Sequence, residues 1–371
     1  MQTRLELLHI WTAHLQQLLP AMRVTRVRVL ALLTLGLIWA ESTSFPRIAA
    51  TLPLPVQDLS SERRFRRWVA NRQVAVTPTW QVLLGALLAR LGQRELILVF
   101  DPTPYDRRQT LLVLGIVVHK RVLPVAWHVV PGQQRWAHST TRYLQRLCRR
   151  VQAVLPVGTT VTLVVDRGLA SADIIDLCRD LGWHYVLRLS VDAKQGVHVR
   201  QADGTIGPAW DLVAGRGSRW SGSVDVFKAQ GWRQANLTIV WPRRYDQPWL
   251  LLSDREAGPD RVAEYRRRAQ VEALYQDCKA RGWWLEGSKL ADRNRLNRLL
   301  LALFLALWWC HLLGQQVIRS GQRRRFDRPN RRDLGVLRLG RRWMRYRLDR
   351  GHLPPLRFRS QAGRWVCRWL F

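Results

Sequence analysis

The sequence predicts a mixed α/β protein: a core of strands and helices, interrupted by a β-rich insertion, with a helical N-terminal region and an Arg-rich C-terminal tail. Three observations carry this. Apolar, strand-forming runs alternate with helical periodicity between residues 95 and 189. Residues 191–255 hold many Gly, Trp and β-branched residues in short alternating stretches. From Arg319 to Phe371 there are 17 Arg, no Lys and three acids, Asp327, Asp333 and Asp349, with Trp343, Tyr346, Trp365 and Trp369 interleaved.

Residues 1–90 form the helical N-terminal region. Residues 1–40 read as amphipathic or buried helix. Ser44-Phe-Pro-Arg follows, a Ser cap with Pro in the first turn, and Pro53 and Pro55 break that helix. Asp58–Asn71 reads as a second helix with a strongly basic face. A short helix, a break and a basic helix match either a helix-turn-helix DNA reader or an ordinary helical pair.

Residues 91–190 are the first part of the α/β core. Glu95–Phe100 is a strand. Leu111–His119 and Val122–Val130 are two more, and Lys120-Arg121 between them reads as a hairpin turn. His138–Leu155 is helical, Val161–Val165 a buried strand, Ser171–Leu181 a helix and Tyr185–Leu189 a strand. The insertion, 191–256, has alternating stretches at Gly196–Arg200, Gly222–Phe227, Asn236–Trp241 and Trp249–Leu252. Residues 257–315 complete the core with a helix at Pro259–Arg281 and an apolar helix at Leu299–Leu313; residues 316–371 are the basic tail.

The 371 residues are 47% hydrophobic, which excludes a disordered chain, and carry a formal net charge of +33. A cationic excess of that size repels itself unless a polyanion neutralises it, and nucleic acid is the polyanion the charge fits. Codon bias contributes, because the chain has 55 Arg against 5 Lys, but it does not explain the shortage of acids. Cys148, Cys178, Cys278, Cys310 and Cys367 stand far apart without metal spacing, as expected of reduced thiols in a cytoplasm. The N-terminus has no signal-peptide pattern. The apolar run 299–313 falls short of the roughly 20 residues of a membrane span and reads as a buried core helix.

Two carboxylates, Asp101 and Asp166, close predicted strands, where sites form in α/β proteins, although Asp is also a common turn residue. The Glu272 helix adds a pattern. Tyr265, Arg268, Glu272 and Lys279 stand at offsets 0, 3, 7 and 14. At about 100° per residue they share one stripe about 60° wide, separate from the apolar face of Val271, Leu274 and Cys278. Such a stripe is either a solvated face held by Glu–Arg and Glu–Lys attraction or part of a site. With the two aspartates it fits a phosphoryl-transfer centre. Three converging carboxylates favour two Mg²⁺ ions, with Mn²⁺ able to substitute, and Arg268 and Lys279 are placed to hold neighbouring phosphates.

Tyr265-x2-Arg268-x3-Glu272-x6-Lys279 resembles the YREK signature of bacterial transposases of the insertion sequence four family. Asp101-Pro-Thr103 and Asp166-Arg167-Gly168 resemble their two aspartate motifs, and the order of elements resembles their ribonuclease H-like core over roughly residues 40–315. The resemblance implies a metal-dependent DDE transposase with Asp101, Asp166 and Glu272 catalytic and metal-binding. It implies Tyr265, Arg268, Lys279, Thr103 and Arg167 as DNA contacts. It also implies terminal inverted repeats and target DNA as partners, a homodimer assembled on DNA, and a bacterial, nucleoid-associated location. Trp249-Leu-Leu-Leu-Ser253 resembles the segment where relatives with a DNA-hairpin pathway place a base-stacking Trp; an ordinary buried strand Trp fits equally, and Trp232 and Trp241 are rivals. Other readings of the same core are a nuclease or resolvase without strand transfer and a domesticated DNA-binding protein.

Overall fold

A computed structural model describes residues 2–354 apart from 93, 133–134, 192–196, 280–281 and 329–331, together with two strands at 357–361 and 364–368. Five helices open the chain: α1 (Gln2–Leu18), α2 (Val24–Ala40), α3 (Phe45–Ala50), α4 (Asp58–Ala70) and α5 (Val76–Leu91). The predicted 1–40 helix is thus two. α5 was not anticipated, because its apolar residues run nearly all round and give little periodicity. α2 is buried almost throughout, so much of this region is core and not a free DNA-reading module. α4 is the exception: it buries Phe65, Trp68 and Val69 and leaves arginines outward.

The strands β1 (Glu95–Pro104), β2 (Gln109–Val118) and β3 (Arg121–Pro131) form an antiparallel meander. The β2–β3 turn falls on His119-Lys120, one residue earlier than predicted, with both residues at positive φ, 48° and 93°. A two-residue turn of that conformation matches the twist of its strands. Next come α6 (Thr140–Gln152), capped by the Ser139 hydroxyl accepting from the Arg142 N–H, then β4 (Thr160–Val165), α7 (Ala172–Leu181) and β5 (His184–Arg188).

The insertion contributes β6 (His198–Arg200), β7 (Ile206–Pro208), β8 (Arg219–Val226), β9 (Arg233–Val240) and β10 (Trp249–Ser253). Gly196, expected in the first of these, lies outside the described residues. These strands continue the core sheet. β10 pairs antiparallel with β5, giving ten strands in the order β3-β2-β1-β4-β5-β10-β9-β8-β6-β7. The physical reason is edge protection: β5 is the last parallel strand, its outer edge would be unpaired, and β10 (Trp-Leu-Leu-Leu-Ser) is apolar enough to cover it.

The predicted helix 259–281 is broken. α8 (Pro259–Arg266) passes through a 3₁₀ turn at Arg267–Gln270 into α9 (Val271–Cys278), and Lys279 has already left the helix. α10 (Arg293–Arg319), capped by Asp292, is the helix foreseen at 299–313. It is long and apolar enough to cross a membrane by composition, yet 89% of its most apolar stretch is buried inside the protein.

α11 (Val336–Asp349) packs along α10. The tail is therefore partly structural: α11 buries Leu337, Leu339, Trp343, Met344 and Leu348. Arg341 is buried over the Trp283 ring and paired with Glu41 at 3.2 Å. Strands β11 (Arg357–Gln361) and β12 (Arg364–Arg368) form a separate hairpin. Trp369 lies outside the described residues.

Candidate active site

β1 and β4 are parallel, with Val99 opposite Val164. Two residues further along each strand stand Asp101 and Asp166. A step of two keeps the face, and neighbouring strands lie about 4.8 Å apart, so the register itself sets the two carboxylates side by side. Asp101 does not end its strand as expected. β1 runs on to Pro104, and Asp101 pairs with Val113 of β2, which fixes its backbone from the other side. Asp166 does follow its strand and opens a short 3₁₀ turn at Arg167–Leu169.

Arg268 joins them. Its Nη2 donates to Asp101 Oδ1 at 2.7 Å and lies 3.2 Å from Asp166 Oδ2. The Tyr265 hydroxyl donates to Asp166 Oδ1 at 2.8 Å. Lys279 Nζ donates to Thr103 Oγ1 at 3.2 Å and to the Pro104 carbonyl at 2.6 Å, tying the end of β1. Three members of the YREK pattern thus meet the two aspartate motifs. Arg167 points elsewhere, to Gln247 Oε1 at 3.4 Å.

Glu272 is exposed, and among the described residues no three His, Cys, Asp or Glu side chains stand close enough to hold a metal ion. The three carboxylates expected in one place are here two, with Glu272 near enough for its charge to be felt at Asp101. The 3₁₀ turn explains this. Each of its four residues advances about 120° instead of about 100°, so everything after it is rotated by roughly 80°. Glu272 leaves the stripe, and Tyr275 swings onto it. The Tyr275 hydroxyl indeed donates to the Asp101 carbonyl at 2.7 Å. A straight helix already placed Tyr275 near 280°, at the edge of the stripe, so its signal was present. Arg188 was also missed: on β5 it approaches Asp166 at 3.9 Å and the Tyr265 hydroxyl at 3.4 Å. Its only hint was a charge in an apolar strand.

The aspartates differ electrostatically. Burial disfavours the charge of Asp101, Arg268 and the Tyr275 hydroxyl oppose that, and the charges of Asp166 and Glu272 reinforce it; the carboxyl titrates above its ordinary range. Burial acts on Asp166 too, but the Arg167 N–H, the Tyr265 hydroxyl and the Arg268 and Arg188 guanidiniums outweigh it, so Asp166 titrates below its range. Burial also pushes the Tyr265 phenol up to about 12, which keeps it a donor.

Trp249 stands beside this group. It is half-buried, edge-on to the Tyr265 ring at 5.3 Å, with the Arg188 and Arg266 guanidiniums 5.9 and 6.0 Å from its ring. Of its rivals, Trp232 lies under Arg200, and Trp241 donates its Nε1 to the Tyr245 carbonyl.

A mixed α/β fold with two aspartates on neighbouring strands of one sheet, held by an arginine of the α8–α9 segment, defines a candidate site for work on phosphate esters. Residues 102–309 match the transposase DDE domain family, and the chain belongs to that family. The matched stretch contains Asp166 and Glu272 and begins one residue after Asp101. Membership makes the chain a transposase of polynucleotidyl transferase type. Among solved structures, the cryo-EM structure of the piggyBac transposase synaptic complex with hairpin DNA is similar, with a TM-score of 0.43 and 12% identity over 88% of this chain and 73% of that one. Among curated proteins none matches.

Proposed function

We propose that this transposase cleaves the ends of its own element and joins them to target DNA, using Asp101, Asp166 and Glu272 as its catalytic carboxylates. The observation that carries the reading is the meeting of Asp101 and Asp166 on the Arg268 guanidinium, with Tyr265 of the same helix on Asp166. The order of three antiparallel strands, helix, parallel strand, helix and strand supports a ribonuclease H-like core, and the spacing of Tyr265, Arg268, Glu272 and Lys279 supports the insertion sequence four family.

The donor chemistry fits Mg²⁺. Asp101 and Asp166 offer hard carboxylate oxygens on either side of one point, and a cationic nitrogen already fills it. These two would hold the metal, with Glu272 completing the set. When bound, a pair of such ions supplies an activated water or 3′-hydroxyl and stabilises the leaving oxygen. The chain's own residues do the rest. Arg268, released from the carboxylates, presents a planar fork to a phosphate of the cut strand. Tyr265 keeps Asp166 oriented. Lys279 holds Thr103 and the end of β1, and so the position of Asp101. Trp249, at the edge of this group, offers a ring face to a base leaving the stack, as excision through a hairpin requires. Two copies assembled on paired ends would bring both terminal repeats together.

The decisive experiment is incubation with the flanking DNA ends and Mg²⁺, reading 3′-hydroxyl nicks, hairpins and joined products. Asp166→Asn is expected to abolish cleavage and leave end binding largely intact. Undiminished cleavage by that variant removes the assignment. Nicks without joined products from the wild type would make the protein a nuclease.

A further inference from the structure

Further along the sheet that carries the aspartates, strands β8 and β9 and helix α8 line a groove of about 420 Å³. Its rim carries Arg219, Arg243 and Arg266, all exposed. Among the described residues none of the three has an acidic partner or a side-chain hydrogen bond; Arg266 only overhangs Trp249, and Arg243 lies against Gly217. Other arginines of this insertion are paired, Arg200 with Asp225, Arg216 with Asp246 and Arg233 with Asp176, while Arg244 lies over the Tyr245 ring. Three uncompensated guanidiniums around one concavity give it a positive potential that attracts an anion.

The groove is not simply a cationic patch. Its walls include Trp241, Pro259 and Val262, and the indole of Trp241 is fixed by its Nε1 bond to the Tyr245 carbonyl at 3.0 Å. Apolar walls under a basic rim suit a chain of flat apolar bases joined by phosphates. The volume is that of a small-ligand pocket, about 300–1,000 Å³, which admits nucleotides of one strand but not both strands of a duplex. A chain of side-chain contacts joins the groove to Asp166. Arg266 reaches over Trp249, Trp249 abuts Tyr265, and Tyr265 binds Asp166.

We infer that this groove holds an unpaired stretch of DNA strand adjoining the cleavage point, with phosphates on Arg219, Arg243 and Arg266 and bases along the apolar walls. The inference rests on the transposase reading and adds a strand-separated substrate to it. It also gives the insertion a role in binding, because β8 and β9 form one wall of the groove and the sheet they extend carries Asp101 and Asp166.

The experiment measures fluorescence polarisation of two labelled DNAs, a blunt duplex of the element end and the same duplex with a short unpaired extension of either polarity. Wild type is expected to bind one extended DNA about tenfold tighter than the blunt one. The double variant Arg219→Ala/Arg243→Ala should lose that preference and keep blunt-duplex affinity. Its salt dependence on extended DNA should be shallower by about 1.4 in log–log slope, about 0.7 for each single-strand phosphate contact removed. Arg219→Lys/Arg243→Lys should retain the slope. Equal losses on blunt and extended DNA would assign the arginines to duplex backbone and overturn the inference. So would unchanged binding of both DNAs, or a wild type that binds the blunt duplex without preferring either extension. A wild type that binds neither DNA would overturn the transposase reading as well. Unfolding temperatures of the variants, expected within about 2 °C of wild type for exposed surface changes, separate these outcomes from misfolding.

Discussion

Arg268 is the residue on which the aspartate pair depends. Without metal, two carboxylates set side by side by strand register repel each other, and this guanidinium is the charge between them. Arg268→Ala should lower the metal-free unfolding temperature and enlarge the rise produced by Mn²⁺, because the ion no longer competes with a resident cation. A thermal shift series with and without Mn²⁺ decides this; an unchanged Mn²⁺ response would mean Arg268 does not occupy the metal's place. Trp249 gives a second test. Trp249→Ala should preserve the first nick and depress hairpin formation by about ten- to a hundredfold, since stacking is worth roughly 1–3 kcal/mol and 1.4 kcal/mol is tenfold. Equal loss at both steps would make Trp249 a support of the Tyr265 ring only. At this scale period and chemistry together placed Tyr265 and Arg268 on one face, and both meet the aspartates; Lys279 reaches Thr103 although the helix has already ended at Cys278. The exposed position of Glu272 was not legible, because nothing in Arg-Arg-Ala-Gln announces the 3₁₀ turn that rotates the second half of the helix.

Among the elements, α10 and α11 are bound by a close crossing. A Cβ on Gly340 would stand 1.9 Å from the Cys310 carbonyl oxygen, and one on Gly314 2.0 Å from that of Val336. Backbone cannot yield as a side-chain tip can, so Gly340→Ala should cost about 1–3 kcal/mol or more in a urea titration. A variant as stable as wild type would show that α11 does not dock there. For the same reason truncation after Gly314 should destabilise the fold, and not merely remove DNA affinity as the composition of the tail implies. α10 also buries His311, fully inaccessible and, among the described residues, with neither ring nitrogen hydrogen-bonded. Burial lowers its pKa to about 3, with the charges of His119 and Arg121 adding to the effect. Its folded pKa lies below the unfolded value near 6.5, so the unfolded chain binds the proton first. The stability is complete above about pH 6.5 and declines towards pH 3, by up to about 1.4 kcal/mol per pH unit. His311→Leu should flatten that acid limb; an identical limb would place the titrating group elsewhere. Strand runs and their order were legible because apolar period and turn residues are local signals. Helices α2, α5 and α10 blurred because a helix buried nearly all round has no polar face to count from. That the insertion would join the core sheet was not legible, since strand pairing across such a distance leaves no local mark.

For the whole molecule, the net charge of +33 is not spread evenly in its use. In the tail, Arg341 and Arg345 face Glu41, Arg323 is paired with Asp327 and Arg347 donates to the Leu353 carbonyl, so much of that basic run is engaged in folding. The N-terminal basic helix is different. Among the described residues, Arg66 is the one arginine of α4 with an acidic partner, Glu62. Arg63 and Arg67, and Arg72 just beyond the helix, are exposed and form no ion pair among the described residues. Their helix is anchored by Phe65 and Trp68, the latter through its Nε1 bond to the Arg26 carbonyl, so the arginines are presented on a rigid base. A duplex seated on this face would release counterions in proportion to the phosphates met. Replacing Arg63, Arg67 and Arg72 by Ala should therefore make the slope of log affinity against log salt shallower by up to about 2.7, near 0.9 per contact with B-form DNA. Nicking of pre-bound DNA at low salt should be unaffected, because none of the three is near the aspartates in the hydrogen-bond network of the site. Binding isotherms of the element end across a salt series provide the measurement. A slope equal to that of wild type would mean that α4 faces solvent for solubility alone, and that the polyanion meets the protein elsewhere.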